Sequence, residues 1–341
     1  MPVCYSIENS VDDKKWDDFV FNHPNGNIFQ TRYMYEIYKR TKHYHPIKLF
    51  AINRATNQLS GILSAVIIEE IGGIARSFSK HSIVQGGPLV LPGMEKEVVP
   101  LLLAEYDKIA QKKALYSEIR NMFDVQIVIQ NSNRYIYEDH LNFLINLDQT
   151  EQDLWHQLRY SRRKNINRAL KENVTIEQLY DERQLATFYN LVEQTYKRVG
   201  IPLSHVSLLE SAYDILQPVN MIRFDLAKHE NKYIGALVCL LYKDTVYAWY
   251  TGMAQGSSNL QATSLMIWNV LKWGSGNRYR IFDFVGAGKP QIKYGPRDYK
   301  SEFGGQLVSY GRYTKVYSPM KMEIAKRGFE IYRNLLMRRE I

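Results

Sequence analysis

The stretch Arg223–Leu241, RFDLAKHENKYIGALVCLL, decides the fold, and the earlier stretch Ile52–Ile68, INRATNQLSGILSAVII, has the same plan. Each stretch has an apolar strand, a polar turn and a second β-rich strand. That second strand carries a glycine near its start, Gly61 in the first copy and Gly235 in the second. Short apolar runs bounded by polar turn residues predict antiparallel hairpins. Two hairpins of the same design, far apart in one chain, indicate an internal duplication.

The elements after each hairpin repeat as well. A further strand follows each hairpin and leads into a glycine-containing loop, at 85–88 in the first half and 256–259 in the second. A helix is then expected at 95–113 and again at 261–273. Each helix leads to a strand with an acidic residue, Glu118 or Asp283. Helix, hairpin, strand, loop, helix, strand is the element order of the GNAT acyltransferase fold. We therefore expect an α+β (α/β) protein with two tandem GNAT-like domains and mixed, mostly antiparallel sheets. Two unrelated α/β domains are the alternative.

The length of the chain, 341 residues, also favours two domains. An apolar strand, Leu141–Leu147, gives way to a helix that Asp148 or Thr150 could cap, so we place the boundary there. The expected domains are 1–147 and 148–317. The amphipathic stretch 318–341 is expected to be a helix that packs back on the first domain.

The composition is that of a soluble globular protein, with 45% hydrophobic and 23% charged residues. No apolar run reaches the roughly 18 residues that a membrane span needs, and the N-terminus does not resemble a signal peptide. The two cysteines, Cys4 and Cys239, are far apart, which favours a reducing compartment and disfavours a disulfide or a metal site. These features predict a cytoplasmic protein without a metal.

The strongest local signal is a basic run, Arg159–Lys171, which holds six basic residues and no acidic one in a chain of net charge +9. On a helix these cations cover more than one face. Neutralising phosphates releases condensed counterions, so tRNA or a nucleotide would suit such a helix. The candidate donor ligands are Arg162, Arg163, Lys164 and Arg168. A solvated basic surface helix is the alternative.

A second signal is the segment Tyr294–Gly305, YGPRDYKSEFGG. Its glycines and proline constrain the backbone around the pair Tyr299–Lys300. A lysine held in this way can present its charge to a developing oxyanion, and Arg297 could bind an anionic group. The alternative is a turn before an edge strand, Leu307–Tyr313, with Lys300 exposed.

The order of these motifs resembles the Fem family, the non-ribosomal aminoacyl transferases that build peptidoglycan cross-bridges. The resemblance rests on the basic helix, the strand end Asp283-Phe284-Val285-Gly286 and the element Tyr299–Gly305, and it extends to Gly26–Thr31 and Gln85–Pro88 in the first half. The basic helix ends near Asn173 and a strand follows directly, so the chain resembles the branch without a helical arm.

The resemblance implies a specific reaction. The chain would move an amino acid from aminoacyl-tRNA, a co-substrate rather than a resident cofactor, to an amine of a nucleotide-linked or lipid-linked muropeptide precursor. A lipid-linked acceptor would bring the protein into peripheral membrane contact without a transmembrane segment. Tyr299 stands where the family has phenylalanine, and Lys39 lies near the position of a lysine that binds a diphosphate.

The expected roles follow from these motifs. Lys300, Tyr299 and Asp283 are the candidate catalytic residues. The substrate-binding candidates are Lys39, Arg198, Tyr250, Arg297 and Phe303. In the loop after the third strand of the second half, Gly256 and Asn259 would face the phosphates of the donor.

Two other functions fit the sequence. An N-acyltransferase could use acyl-coenzyme A to modify an amino sugar or polysaccharide precursor, although the loop Gln255–Leu260 lacks the usual pyrophosphate-binding pattern. A non-catalytic RNA- or nucleotide-binding protein would need only the basic helix. It would not need the constrained segment around Lys300.

Overall fold

A computed structural model describes residues 4–69, 80–124, 134–179, 181–325 and 327–328. The chain forms two compact units. The first contains the residues up to Asp139 together with a segment that begins at Tyr310, and the second is His140–Ser309.

The helices and strands follow in chain order. Up to residue 139 they are β1 (Tyr5–Glu8), α1 (Asp13–Asn22), α2 (Arg32–Arg40), β2 (Tyr44–Asn53), β3 (Gln58–Glu69), β4 (Lys80–Gln85), β5 (Leu89–Val90), α3 (Glu95–Ala110), β6 (Tyr116–Arg120) and β7 (Ile136–Glu138). The second unit contains β8 (Leu141–Asn146), α4 (Glu151–Gln157), α5 (Tyr160–Lys171), β9 (Thr175–Gln178), α6 (Gln184–Val199), α7 (Ser207–Leu216), β10 (Ile222–His229), β11 (Lys232–Tyr242), β12 (Thr245–Met253), α8 (Ala262–Gly276), β13 (Ile281–Asp283), α9 (Gly295–Ser301) and β14 (Gln306–Ser309). The last strand is β15 (Arg312–Val316).

Each unit contains one sheet, and the first five strands of the two sheets follow each other in the same chain order. The first is β1-β2-β3-β4-β6-β15-β7, with β5 paired to β3, and the second is β9-β10-β11-β12-β13-β8-β14. In each sheet the pair that a helix connects, β4 with β6 or β12 with β13, is parallel, and the other strand pairs are antiparallel. The predicted α+β tandem with mixed, mostly antiparallel sheets is confirmed.

The two hairpin glycines occupy equivalent places, as the duplication predicts. Gly61 lies opposite Ala51, and Gly235 lies opposite Ala227, in both cases directly beside a shift in register. A Cβ atom added to Gly61 would lie 2.8 Å from a methyl carbon of Val98 in α3. A Cβ atom added to Gly235 would lie 2.8 Å from the terminal methyl of Met266 in α8. Each glycine therefore lets the helix of its own unit pack close to the sheet.

Both predicted limits of the second domain, 148 and 317, are wrong, because the second unit is His140–Ser309. The predicted limit at 147 places β8 in the first domain, but β8 pairs with β13 and β14 and so belongs to the second sheet. The predicted edge strand Leu307–Tyr313 is two strands, of which β14 lies in the second sheet and β15 pairs with β6 in the first. Strand partners so distant in sequence leave no local signal, which explains the error.

The final helix begins where it was expected. Residues 319–325 and 327–328 are helical. Within this part Met320 and Ile324 are exposed, and the remainder of the predicted helix lies outside the described residues, so its packing on the first domain stays a prediction. No helix in the described ranges is both long and apolar enough to cross a bilayer.

Candidate active site

The second sheet opens between its two parallel strands. β12 and β13 pair only from Thr245–Tyr247 against Ile281–Asp283, while β12 continues to Met253. A bulge at Trp249 accompanies the separation, since Ala248 and Tyr250 face consecutive residues of β11. Open α/β sheets bind ligands at the carboxyl ends of such strands. The opening is therefore the natural place for substrates in this unit.

The first sheet is closed at the corresponding place. β4 and β6 stay paired as far as Gln85 and Arg120. The fully buried side chain of Gln30 donates to the carbonyl oxygens of Ser64 (3.1 Å) and Gln85 (2.8 Å), and accepts from the amide of Ser64 (2.8 Å). The motif Gly26–Thr31 thus contributes a side chain that ties β3 to β4.

A strained turn follows β13 at the edge of the opening. Val285 has φ 59°, a left-handed conformation that is unusual for a β-branched residue. Its amide donates to the Asp283 carboxylate at 2.5 Å. The Asn142 side chain of β8 donates to the same carboxylate oxygen (2.7 Å) and accepts from the amide of Gly286 (2.8 Å). The carboxylate of Asp283 therefore shapes the turn.

Lys300 lies in α9, so the predicted turn is a short helix and the lysine is half-buried rather than exposed. Its ammonium donates to the carbonyl oxygens of Phe284 (3.1 Å) and Gly286 (2.5 Å). Burial lowers the pKa of Lys300 to about 8, and the charge of Asp283 acts in the opposite direction. Burial also raises the pKa of Asp283. An ammonium group has three N–H donors, so one is left over at the turn.

Arg162 is not a phosphate ligand, contrary to the sequence-based prediction. It is 4% exposed and shares the buried face of α5 with Ile166 and Ala169. Its guanidinium pairs with Glu302 (2.5 Å) and donates to the hydroxyl of Ser264 (2.8 Å). The periodicity of α5 explains the error, because its five cations lie on more than one face and Arg162 falls on the buried one.

The same guanidinium lies over the ring of Tyr299, 4.0 Å from the centroid. Burial raises the pKa of Tyr299 to about 12, so the tyrosine keeps its proton. Glu302 also accepts from the hydroxyl of Ser161 (3.0 Å), and its carbonyl oxygen accepts from the amide of Arg159 (2.9 Å). The start of α5 is therefore joined to the end of the helix that carries Lys300.

Two other predicted substrate ligands have structural roles. Phe303 is 1% exposed and packs on the rings of Phe284 and Tyr299 as part of the core. Its apolar ring is one of the buried contacts that hold α9 in place. The guanidinium of Arg297 donates to the carbonyl oxygens of Lys289 (2.6 Å) and Ile292 (2.7 Å), and so it stabilises the loop before α9.

The other basic residues of α5 line a surface groove of about 480 Å³, called here the basic groove. Its cations are Arg163, Lys164, Arg168 and Lys171, and its aromatic side chains are Trp155 and the exposed Tyr160; Asn167 and Glu172 complete the lining. A groove that combines cations with accessible rings suits a nucleic-acid strand, whose phosphates pair with the cations while a base stacks on a ring.

The loop after β12 carries the two predicted phosphate contacts, Gly256 and Asn259, and both are exposed. Several amides of this loop already have acceptors. Those of Ser257, Leu260 and Gln261 donate to carbonyl oxygens within the loop, and that of Gln255 donates to the side chain of Gln194 in α6. These amides are not available to a pyrophosphate.

The remaining predicted ligands lie on three different elements. Tyr250 lies on the open half of β12, and its hydroxyl is 3.3 Å from that of Ser204. Arg198 is exposed in the last turn of α6, where it donates to Thr195 (3.3 Å). Lys39 is in α2 of the first unit and pairs with Glu36 at 3.6 Å. Among the described residues no group of three His, Cys, Asp or Glu side chains could hold a metal ion.

Replacing Arg162 by methionine should destabilise the second unit by about 3 kcal/mol, because it leaves Glu302 without its buried partner. The salt dependence of nucleic-acid binding should not change, since this guanidinium is not on the surface. Urea unfolding followed by tryptophan fluorescence tests the prediction, because Trp155, Trp249, Trp268 and Trp273 all lie in this unit. Lys164→Met is the matched control, and equal stability of the two variants would contradict the assignment.

The second half of the chain matches the family model of an acetyltransferase (GNAT) domain over residues 156–301. The matched region contains α5, the open strand β12, the turn after β13 and Lys300. No curated protein is detectably similar to the chain in sequence.

Solved structures similar to the chain share its fold over nearly the whole length. FemX has a TM-score of 0.68 at 17% identity, covering 94% of this chain and 100% of FemX. L-PGS from Bacillus licheniformis has a TM-score of 0.55 at 11% identity (92% and 96%). A tandem GNAT protein from the clavulanic acid biosynthesis pathway has a TM-score of 0.56 at 10% identity (93% and 99%). The chain therefore shares the fold of these structures, and its second half is similar to an acetyltransferase (GNAT) domain. The predicted enzyme class, an acyl transferase, is confirmed.

Proposed function

We propose that the second unit transfers an aminoacyl group from aminoacyl-tRNA to an amine of a peptidoglycan precursor. The observation that carries the proposal is the set of contacts that Glu302 makes with Arg159, Ser161 and Arg162. These contacts connect α5, which carries the basic groove, with the helix that holds Lys300. A donor bound through its phosphates on α5 would be fixed relative to the lysine. Such fixed geometry is a main source of catalysis in transfer between two bound substrates.

The groove supports a nucleic-acid donor. Lys164, Arg168 and Lys171 are exposed and line the groove. None of the three is held in a buried ion pair like that between Arg162 and Glu302. Arg163 donates to the carbonyl oxygens of His156 (3.1 Å) and Leu158 (2.6 Å) while it lines the groove. A single strand needs cations and a ring on one surface, and the side chain of Tyr160, 75% exposed, supplies the ring.

The proposed reaction needs no covalent enzyme intermediate. The acceptor amine attacks the ester carbonyl of the donor, a C–N bond forms and the C–O bond to the ribose breaks. The proton of the amine passes to the departing ribose oxygen. The third N–H of Lys300 would donate to the negative oxygen of the tetrahedral intermediate, and Asp283 would keep the ammonium charged. Tyr299, which is half-buried and protonated, would position its neighbour rather than react.

The acceptor would enter from the open half of β12, where Tyr250 offers a ring and a hydroxyl. We assign the exposed cation Arg198, in the last turn of α6, to an anionic group of a nucleotide-linked or lipid-linked precursor. With a lipid-linked precursor the protein would work at the membrane surface. The first unit, whose sheet is closed by Gln30, would not carry out the transfer.

Acyl-coenzyme A is the alternative donor, and the match of residues 156–301 to an acetyltransferase domain favours it. The enzyme would then be an N-acyltransferase of an amino sugar or polysaccharide precursor. The engaged amides of Gln255, Ser257, Leu260 and Gln261 argue against a bound pyrophosphate at the usual place. A non-catalytic RNA-binding protein would not need the lysine at the strained turn.

Donor binding separates these functions. We expect the purified protein to bind charged tRNA with an affinity that falls steeply as salt rises, about 0.7–0.9 in the log–log slope for each phosphate contact. Acetyl-coenzyme A should bind weakly and should not compete. Tight binding of acetyl-coenzyme A together with salt-independent, weak binding of tRNA would contradict the proposal and favour the alternative.

A further inference from the structure

The turn after β13 depends on a residue that lies far away in sequence. Val285 has the left-handed φ of 59°, and strain of this kind persists only where surrounding contacts enforce it. The enforcing contacts are the Asp283 carboxylate and the side-chain amide of Asn142. Asn142 belongs to β8, which pairs with β13 only through the tertiary fold.

The Asn142 amide uses both of its ends in the turn. Its nitrogen donates to Asp283 at 2.7 Å, and its oxygen accepts from the amide of Gly286 at 2.8 Å. With the amides of Val285 and Gly286 fixed in this way, the carbonyl oxygens of Phe284 and Gly286 both turn toward the ammonium of Lys300. The direction of that ammonium is thus set from the neighbouring strand.

We propose that Asn142 is a positioning residue of the transfer reaction, which acts by holding the turn that aims Lys300. It also stabilises the carboxylate of Asp283, the charged group that faces Lys300. Among the other charged groups near α9, Arg162 and Glu302 pair with each other around Tyr299. Within α9, Arg297 donates to the carbonyl oxygens of Lys289 and Ile292, and Asp298 is exposed in the first turn. This inference rests on the proposed function for the reaction, but the arrangement of Asn142, Asp283 and Lys300 can be tested without it.

Replacing Asn142 by leucine removes both hydrogen bonds at nearly constant volume. Asp283 then loses a donor to its charged form, and Lys300 loses its aligned carbonyl acceptors, so the titration of Lys300 should move to lower pH. If the enzyme transfers as proposed, kcat should fall about 10²-fold through misplacement of the lysine, with KM little changed. Adding Val285→Gly to the Asn142→Leu variant should restore part of the Lys300 midpoint and part of kcat, because glycine adopts the left-handed conformation without strain.

The test is an NMR titration of protein with 13C-labelled lysine, with Lys300→Arg to assign the signal. We expect a lysine titrating near pH 8 in the wild type, a lower midpoint in Asn142→Leu, and no change in Asn146→Leu, an exposed asparagine on the same strand. If the leucine variant does not fold, Asn142→Ala replaces it. An unchanged midpoint in a folded Asn142 variant would overturn the inference, whereas absent transfer with a shifted midpoint would affect only the proposed function.

Discussion

Replacing Lys300 by methionine is expected to lower the rate of transfer by about 10²- to 10³-fold, because an oxyanion donor typically contributes this much. Donor binding should be nearly unchanged, since the cations of the basic groove are untouched. The measurement is single-turnover transfer with saturating donor. Lys293→Met, an exposed lysine in the loop before α9, is the matched control and should keep wild-type activity.

The pH dependence gives the same prediction a second readout. The proposed role needs the charged ammonium, and burial lowers the pKa of Lys300 to about 8. The rate should therefore fall as the pH rises through about 8, and this decline should move to higher pH in Lys300→Arg, whose guanidinium stays charged. A transfer rate that keeps rising above pH 9 in the wild type would contradict a role for the charged ammonium of Lys300.

Reversing three charges in the basic groove, Lys164→Glu, Arg168→Glu and Lys171→Glu, should weaken tRNA binding by about 10²-fold or more at low salt. If the three cations each contact a phosphate, the log–log salt slope should fall by about 2–3. Stability should change little, because all three side chains are exposed on α5.

The matched control carries the same change in net charge elsewhere. Lys108→Glu, Lys112→Glu and Lys113→Glu place three reversals on exposed side chains in the last turn of α3 and in the turn that follows it. Equal loss of binding in both triple variants would mean that tRNA responds only to the overall charge of the protein. The groove would then have no specific role in donor binding.

The fold was largely predictable because its signals are local. Gly61 and Gly235 mark the same hairpin position in both halves, and the apolar pattern around them needs no distant partner. The domain limits were not predictable, because β8 and β15 each join a sheet through partners more than a hundred residues away. A strand at a boundary looks the same whichever sheet it enters.

The site was predictable in its residue types more than in their roles. The sequence singled out Lys300 and Asp283, and the structure brings them to one turn. The sequence could not tell that Arg162 turns inward while Lys164 and Arg168 face solvent, because the run Arg159–Lys171 has cations on more than one face of the helix. Asn142 and Ser264 carried no sequence signal at all, since their roles arise only from contacts with Asp283, Tyr299 and Arg162.

The most direct test of the central claim is single-turnover transfer from a pool of charged tRNAs, in the absence of coenzyme A, to a nucleotide-linked muropeptide precursor. The product would be followed by mass spectrometry, with wild type and Lys300→Met in parallel. We predict an acceptor extended by one amino acid through a new amide bond, formed by the wild type and at least 10²-fold more slowly by the variant. An acceptor modified only when acetyl-coenzyme A is supplied would contradict the claim.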